Sequence, residues 1–131
     1  MSTCGDTYLK TRIPAAVAAL LVASGCETFN EPVFLERTEV GISNDVQFHQ
    51  DLMQEAYEGR QYLQFSATNY SSQPRCVQTN AESMRYSSEY SMGAVVYLAP
   101  AETADTGYVF LPSEFGLHAR SWAPDEFGNC N

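Results

Sequence analysis

The side chains with the most reactive chemistry in this chain are two histidines and four cysteines. The histidines, His49 and His118, could serve in acid–base catalysis. Neither lies in an HExxH metal motif, and the sequence has no GxSxG nucleophile elbow and no glycine-rich phosphate loop. His49 falls on the apolar face of its segment, which favours a hydrogen-bonded core or boundary histidine, and His118 is expected on the surface of a strand. This inventory does not point to catalysis.

The tripeptide Asp105-Thr106-Gly107 also occurs in aspartic proteases, which bring two such carboxylates together. Here it occurs once, a polar run precedes it, and Tyr108 follows it. A hairpin turn explains it better than a protease site. We therefore expect no enzyme activity, no metal and no cofactor.

Cys26 closes an apolar segment near the start of the chain. Lys10 and Arg12 precede the apolar run 13–23, and the small residues 24–25 lead to the cysteine. A cationic start, a short apolar stretch and small residues at its end are typical of an export signal. The run is shorter than the roughly 20 residues of a lasting transmembrane helix. We expect it to be removed.

The end of this segment, Ala23-Ser24-Gly25-Cys26, resembles the lipobox of bacterial lipoproteins, which has an aliphatic residue, two small residues and a cysteine. Ala23 departs from that pattern, since the family usually has Leu there. The resemblance implies a diacylglycerol thioether on Cys26, cleavage before it and acylation, such as by palmitate, of the new amino terminus. Two or more acyl chains anchor a protein stably. An ordinary secretory signal and a buried helix of the folded domain are the alternatives.

This interpretation divides the chain into a signal peptide (1–25), a tether (26–31) and a single small globular domain (32–131). Glu27 follows the cysteine where lipoproteins retained in the inner membrane of enteric-type bacteria have Asp. The resemblance therefore implies a lipid anchor in the outer membrane, with the domain facing the periplasm.

Strong negative charge limits the partners of this domain. The whole chain has a formal net charge of −9. Without residues 1–25, 131 minus 25 or 106 residues remain, with five arginines, no lysine and 15 acidic residues, so the net charge becomes about −10. Such a surface repels phosphate backbones, which argues against nucleic-acid binding. It favours cationic partners or reflects adaptation to a saline habitat.

Two further cysteines, Cys76 and Cys130, form an even pair in a chain expected to be exported. Such a pair favours a disulfide, which would fasten the C-terminus. Two isolated cysteines lack the close ligand spacing of a zinc site.

Alternating and β-branched segments predict several strands. They cover residues 32–40, 60–68, 75–79 and 115–122, with two more in the runs 92–100 and 107–112. The turn formers at 69–74 suggest a hairpin between the second and third strands, and the polar residues 101–106 suggest another. The stretch 81–91 could be a short helix or an irregular connection.

One segment has a helical period instead. Val46, His49, Leu52 and Met53 fall on one face of a helix, which continues to Ala56 and Tyr57. Asn44 resembles a helix cap and Gly59 a helix stop, which predicts a helix over about 45–58. The expected fold is mainly β, a small β-sandwich that could be immunoglobulin-like, with this one helix. The alternative is an α+β fold with the helix packed on an antiparallel sheet.

Aromatic residues supply the candidate recognition surface. Tyr62, Tyr70 and Trp122 could stack on a sugar or anchor a protein partner, although packing along sheet edges explains most tyrosines more simply. We expect a membrane-tethered envelope lipoprotein that acts as a non-catalytic protein-binding, assembly or structural accessory. The alternative is a periplasmic ligand-binding or inhibitor module for glycan or a cationic enzyme. An acidic-aromatic patch beside a groove would favour the alternative, and a broad strand edge or flat apolar patch would favour assembly.

Overall fold

The computed structural model describes residues 31–86 and 89–131. These residues contain eight β-strands joined by turns and loops. In chain order they are β1 (Val33–Ser43), β2 (Val46–Gln54), β3 (Gln61–Asn69), β4 (Arg75–Arg85), β5 (Tyr90–Ser91), β6 (Val95–Leu98), β7 (Thr103–Phe110) and β8 (Glu114–Trp122). The predicted signal peptide and nearly all of the predicted tether lie outside the described residues. Within those residues, no helix is long and apolar enough to cross a membrane.

The strands form two antiparallel sheets. One has the order β1-β2-β3-β7-β5, and the other has the order β6-β4-β8. This arrangement confirms the predicted small β-sandwich, and with no helix in the described residues it excludes the α+β alternative. The immunoglobulin-like form of the sandwich stays a prediction.

The helix predicted over 45–58 is wrong, because residues 46–54 form strand β2. Asn44 does not cap a helix. Asn44 and Asp45 have φ angles of 50° and 66°, and positive φ at both central residues is the geometry of a type I′ hairpin turn. The turn joins β2 to β1, and pairing between strands overrides the helical spacing of the apolar residues.

Both predicted hairpins are also wrong in their pairing. β3 pairs with β7, and β4 pairs with β6 and β8, so the turn after β3 carries the chain from one sheet to the other. The ambiguous stretch after residue 81 continues β4 to Arg85 and then includes the short β5.

The core lies between the sheets. Val46, Phe48 and Ala67 of the five-stranded sheet pack with Val77 and Leu98 of the three-stranded sheet, and all five are buried. A buried hydrogen bond between the hydroxyls of Thr79 and Thr106, 2.8 Å long, joins β4 to β7 within this layer. Each hydroxyl is therefore satisfied away from water.

Asn69 organises the crossing from β3 to β4. Its side chain is fully buried. Its amide nitrogen donates to the carbonyl oxygens of Gln73 and Leu98 at 2.8 and 3.2 Å, and its side-chain oxygen accepts from the N–H of Ser71 at 2.9 Å. One side chain thus satisfies backbone groups of the crossing loop and of β6.

The chain separates into two units. The larger comprises Phe34–Met53 and Arg60–Asn131 and contains the core described above. The smaller has residues 31–33 and Gln54–Gly59 as its described part. There the backbone turns at residues 56–58 and reaches Gly59, whose φ is +74°.

Candidate recognition surface

The outward side of the three-stranded sheet carries a row of polar side chains. In the β4–β8 ladder Gln78 is opposite Arg120, and Asn80 is opposite His118. Directly opposed residues of an antiparallel pair share a face, and alternate residues along a strand share it too. The intervening Val77 and Thr79 point into the core. The outward row lines a groove of about 280 Å³ formed by Gln78, Asn80, Ala81, Glu82, His118 and Arg120.

Arg120 is held in place within this groove. Its Nε and Nη2 atoms donate to Gln78 Oε1 at 3.0 and 2.8 Å, and its guanidinium lies 4.3 Å from the centre of the Trp122 ring. Gln78 in turn donates from Nε2 to the carbonyl of Gly93 at 2.7 Å. The cation is therefore oriented before any ligand arrives, which reduces the entropy lost on binding.

A contact between an imidazole and a carboxylate lies at the other end of the groove. His118 Nε2 contacts a carboxylate oxygen of Glu82, and both side chains are more than half exposed. The groove thus combines one fixed cation, one carboxylate paired with an imidazole, and two side-chain amides. Such a lining can bind polar groups by hydrogen bonds, but it is not an acidic patch.

Aromatic rings flank a disulfide beside the groove. Cys76 lies between Tyr97 of β6 and Trp122 of β8 in the ladder. Its sulfur lies 2.02 Å from that of Cys130, which confirms the predicted pairing. Tyr97 is 47% exposed, whereas Trp122 is partly buried and its indole N–H lacks a hydrogen-bond partner within the described residues. Trp122 belongs to the rim of this face.

The three predicted recognition residues do not come together. Tyr62 is the second residue of β3 on the five-stranded sheet, where its ring lies 4.9 Å from that of Phe110. Tyr70 follows the opposite end of the same strand, about 26 Å away at 3.3 Å per residue, and it is exposed. Trp122 lies on the other sheet. No single surface therefore combines these rings.

At the β1 edge of the five-stranded sheet, charged and polar side chains form a row on β1 and β2. Arg37 donates from Nε and Nη2 to the two carboxylate oxygens of Asp51 at 2.7 and 2.9 Å. These hydrogen bonds to Asp51 raise the pKa of the Arg37 guanidinium above its ordinary value. Glu39 Oε1 accepts from Gln47 Nε2 at 2.9 Å and lies 2.8 Å from His49 Nδ1.

His49 is buried as a hydrogen-bonded boundary histidine. Besides the contact with Glu39, its Nε2 lies 3.4 Å from the hydroxyl of Thr68, which itself contacts Thr103 at 2.8 Å. Both ring nitrogens are therefore occupied by protein groups. His118 lies on the exposed face of β8, as the sequence predicts.

The tripeptide Asp105-Thr106-Gly107 lies within strand β7 rather than in the predicted turn. Phe65 is opposite Gly107 and Ser66 is opposite Asp105, so Thr106 is the extra residue of a β-bulge. The bulge points Thr106 into the core while Asp105 stays exposed. The motif is thus structural here.

No family model, curated protein or solved structure matches this chain. Within the described residues, no three His, Cys, Asp or Glu side chains are grouped to hold a metal ion. Cys26, the predicted lipidation site, lies outside the described residues.

Sequence reasoning missed the groove. Its signal is present as two alternating polar rows, Gln78-x-Asn80-x-Glu82 and His118-x-Arg120. Each row predicts the solvent face of a strand. Only the pairing of β4 with β8 brings the two rows together, and these strands are about 40 residues apart in the chain.

Proposed function

We propose that this protein is a lipid-anchored lipoprotein of the bacterial cell envelope, whose β-sandwich acts as a non-catalytic protein-binding or assembly accessory. The apolar run closed by Ala23-Ser24-Gly25-Cys26 carries the anchoring part of the proposal. Acylation of Cys26 would place the domain beside a membrane. Glu27 supports the outer membrane and its periplasmic face, by resemblance to enteric-type lipoproteins.

The long outer strand β1 supports the assembly role. It spans 11 residues at the edge of the five-stranded sheet, and most of its side chains are exposed. An edge strand offers unpaired backbone groups to another chain. Phe34 and Ile42 are 53% and 72% exposed, which adds apolar contact area along that edge.

The occupied ring of His49 supports a non-catalytic role. A general base needs a nitrogen free to take a proton from a substrate, and both His49 nitrogens face protein oxygens. The exposed His118 is paired with Glu82.

The groove on the outer face of β4 and β8 favours a second candidate, a ligand-binding or inhibitor module. Arg120 is oriented by Gln78 and stacks on Trp122, so a polar ligand would meet a prearranged donor. Because Glu82 is the single carboxylate among the described residues that line the groove, a cationic enzyme is a poorer match to it than a glycan or another neutral polar ligand.

The anchor is tested by intact mass and membrane fractionation of the native-length protein produced in a bacterium. Wild type is expected in the membrane fraction, with residues 1–25 removed and the added mass of the acyl groups on Cys26. Cys26→Ser should be unacylated. Cys4→Ser is the matched control, because that cysteine lies in the part that would be removed, and it should behave as wild type. A soluble, unacylated wild-type product would defeat the anchor.

The role is tested by capturing the tethered domain from solubilised envelopes and identifying co-purified proteins. A specific envelope protein that is retained by wild type supports the assembly role. Retention of glycan fragments that is lost in Arg120→Ala supports the ligand-binding alternative instead.

A further inference from the structure

The outer strand β1 is the longest edge strand of the two described sheets. Natural edge strands are often short, or carry charged side chains or Pro, or are covered by another segment. Of the other edges in the described sheets, β5 has two residues, β6 has four, and β8 carries alternating polar side chains. β1 has 11 residues; its charged side chains, Glu36, Arg37 and Glu39, lie in the middle of the strand, and it exposes large apolar side chains on either side of them, Phe34, Leu35 and Ile42.

Two of its charged side chains, Arg37 and Glu39, share one face, whereas Glu36 lies on the other. Arg37 contacts Asp51, and Glu39 contacts His49, two residues before Asp51 on the neighbouring strand. Alternate residues of a strand point to the same side, so Arg37 and Glu39 project together and Thr38 projects to the opposite side. The two charges are thus separated by a single residue and have opposite signs.

We propose that β1 is a self-association edge, at which a second copy of this chain adds its own β1 antiparallel about a two-fold axis at Thr38. In this register Arg37 of each copy lies opposite Glu39 of the other. In a symmetric antiparallel pair that continues the sheet, directly opposed residues point to the same face. Each residue therefore lies opposite a residue an even number of positions away, so the two-fold axis passes through a residue and not between two residues. Centring on Glu36, Arg37 or Glu39 would place like charges directly opposite each other, which is destabilising.

The neighbouring positions fit the same register. Leu35 of one copy falls opposite Gly41 of the other, and Glu36 falls opposite Val40. A Cβ added at Gly41 would have nothing within 4 Å, so the surface there is open to an approaching leucine. Pairing would join the two five-stranded sheets into one sheet of ten strands.

The occupant is therefore a second copy rather than an unrelated strand, because the alternation of Arg37 and Glu39 complements itself. This inference deepens the proposed assembly role and rests on it for its biological meaning. Its geometry does not depend on acylation of Cys26, so the two can fail separately.

The register is tested by cysteine cross-linking of the native-length protein in isolated membranes. Two-fold pairing places the Cα atoms of the two Thr38 residues about 4.5–5.5 Å apart, within disulfide range. Thr38→Cys should then give a reductant-sensitive species of twice the mass under mild oxidation. Glu36→Cys is the matched control on the same strand. Its two thiols would be offset by four residues, about 13 Å, and out of reach. We expect at least tenfold more linked product from Thr38→Cys.

A second variant tests the interaction without cross-linking. Thr38→Lys places two ammonium groups directly opposite each other and should weaken self-association at least tenfold, measured by sedimentation in detergent. Equal linking at residues 36 and 38, or unchanged sedimentation of Thr38→Lys, would overturn the inference. A disulfide-linked adduct between the Thr38→Cys variant and a different protein would also overturn it, by assigning the edge to another partner.

The same cross-linking, carried out on both the membrane and the soluble fractions, separates this inference from the proposed anchor. If wild type proves unacylated but Thr38→Cys still links to itself, the anchor fails and the self-association edge stands. If the protein is acylated but no linked species forms, the edge fails and the anchor stands.

Discussion

Loss of the Cys76–Cys130 disulfide should remove a large part of the stability of this domain. The two residues are 54 apart in sequence, so the bond closes a loop of about 55 residues. In the chain-entropy treatment, a loop of that length removes about 14 cal/mol/K from the unfolded state, or about 4 kcal/mol at 25 °C. Cys130→Ser should therefore lower the free energy of unfolding by about 4 kcal/mol, measured by urea denaturation.

The choice of cysteine separates the crosslink from packing. Cys76 is fully buried, so Cys76→Ala also removes buried packing contacts, whereas Cys130 is only partly buried. The tail before Cys130 has its own turn, in which Asp125 Oδ1 accepts the N–H groups of Phe127 and Asn129 at 2.9 and 2.8 Å. Cys130→Ser should leave that turn intact.

A double-mutant cycle completes the test. Because the crosslink can be lost only once, Cys76→Ala/Cys130→Ser should resemble Cys76→Ala rather than the sum of the two losses. Reduction of wild type should bring its unfolding free energy to that of Cys130→Ser. A loss below about 1 kcal/mol for Cys130→Ser, or additive losses in the cycle, would refute the reasoning.

Three further predictions concern packing, and chemical denaturation measures each of them. Phe48→Ala should destabilise the domain by about 3–5 kcal/mol, since Phe48 is buried in β2, whereas the exposed Ile42→Ala should change stability by less than about 0.5 kcal/mol. Gly107→Ala should destabilise by about 1–3 kcal/mol, because the new Cβ would lie 2.7 Å from a backbone oxygen. Gly41→Ala meets no atom within 4 Å, and an equal loss there would contradict this steric explanation. Asn69→Ala should lose about 1–3 kcal/mol by leaving buried backbone groups unpaired, and a neutral effect would show that these hydrogen bonds contribute little.

Individual strands could be predicted from the sequence because their signals are local. The alternation in β3 and the β-branched run in β6 indicate extended backbone without reference to the rest of the chain. The disulfide could also be predicted, since an even cysteine pair in an exported chain has few alternatives.

Strand pairing could not be predicted, because it depends on residues far apart in sequence. The turn after β3 has the composition of a hairpin turn, yet buried Asn69 directs the chain into the other sheet. The same dependence explains the error at β2. Val46 and His49 are compatible with a helix, but the type I′ turn at Asn44 and Asp45 commits the segment to pairing with β1.

The candidate surface was even less visible in the sequence. Tyrosines are good strand residues wherever they lie, so their number gives no information about their grouping. Tyr62 and Tyr70 lie at opposite ends of β3, while the groove beside Trp122 depends on the meeting of two distant polar rows.

The bond from Cys76 to Cys130 also determines how the molecule would carry mechanical load. A pull between the two ends of the polypeptide passes from the last residues directly into β4 through the sulfur atoms. Residues 77–129 lie inside the covalent loop, so the strands after β4 are shielded from that tension. The force instead acts on the backbone of β1, β2 and β3. Because residues 77–129 are not stretched, the fully extended chain is shorter by the length of this loop.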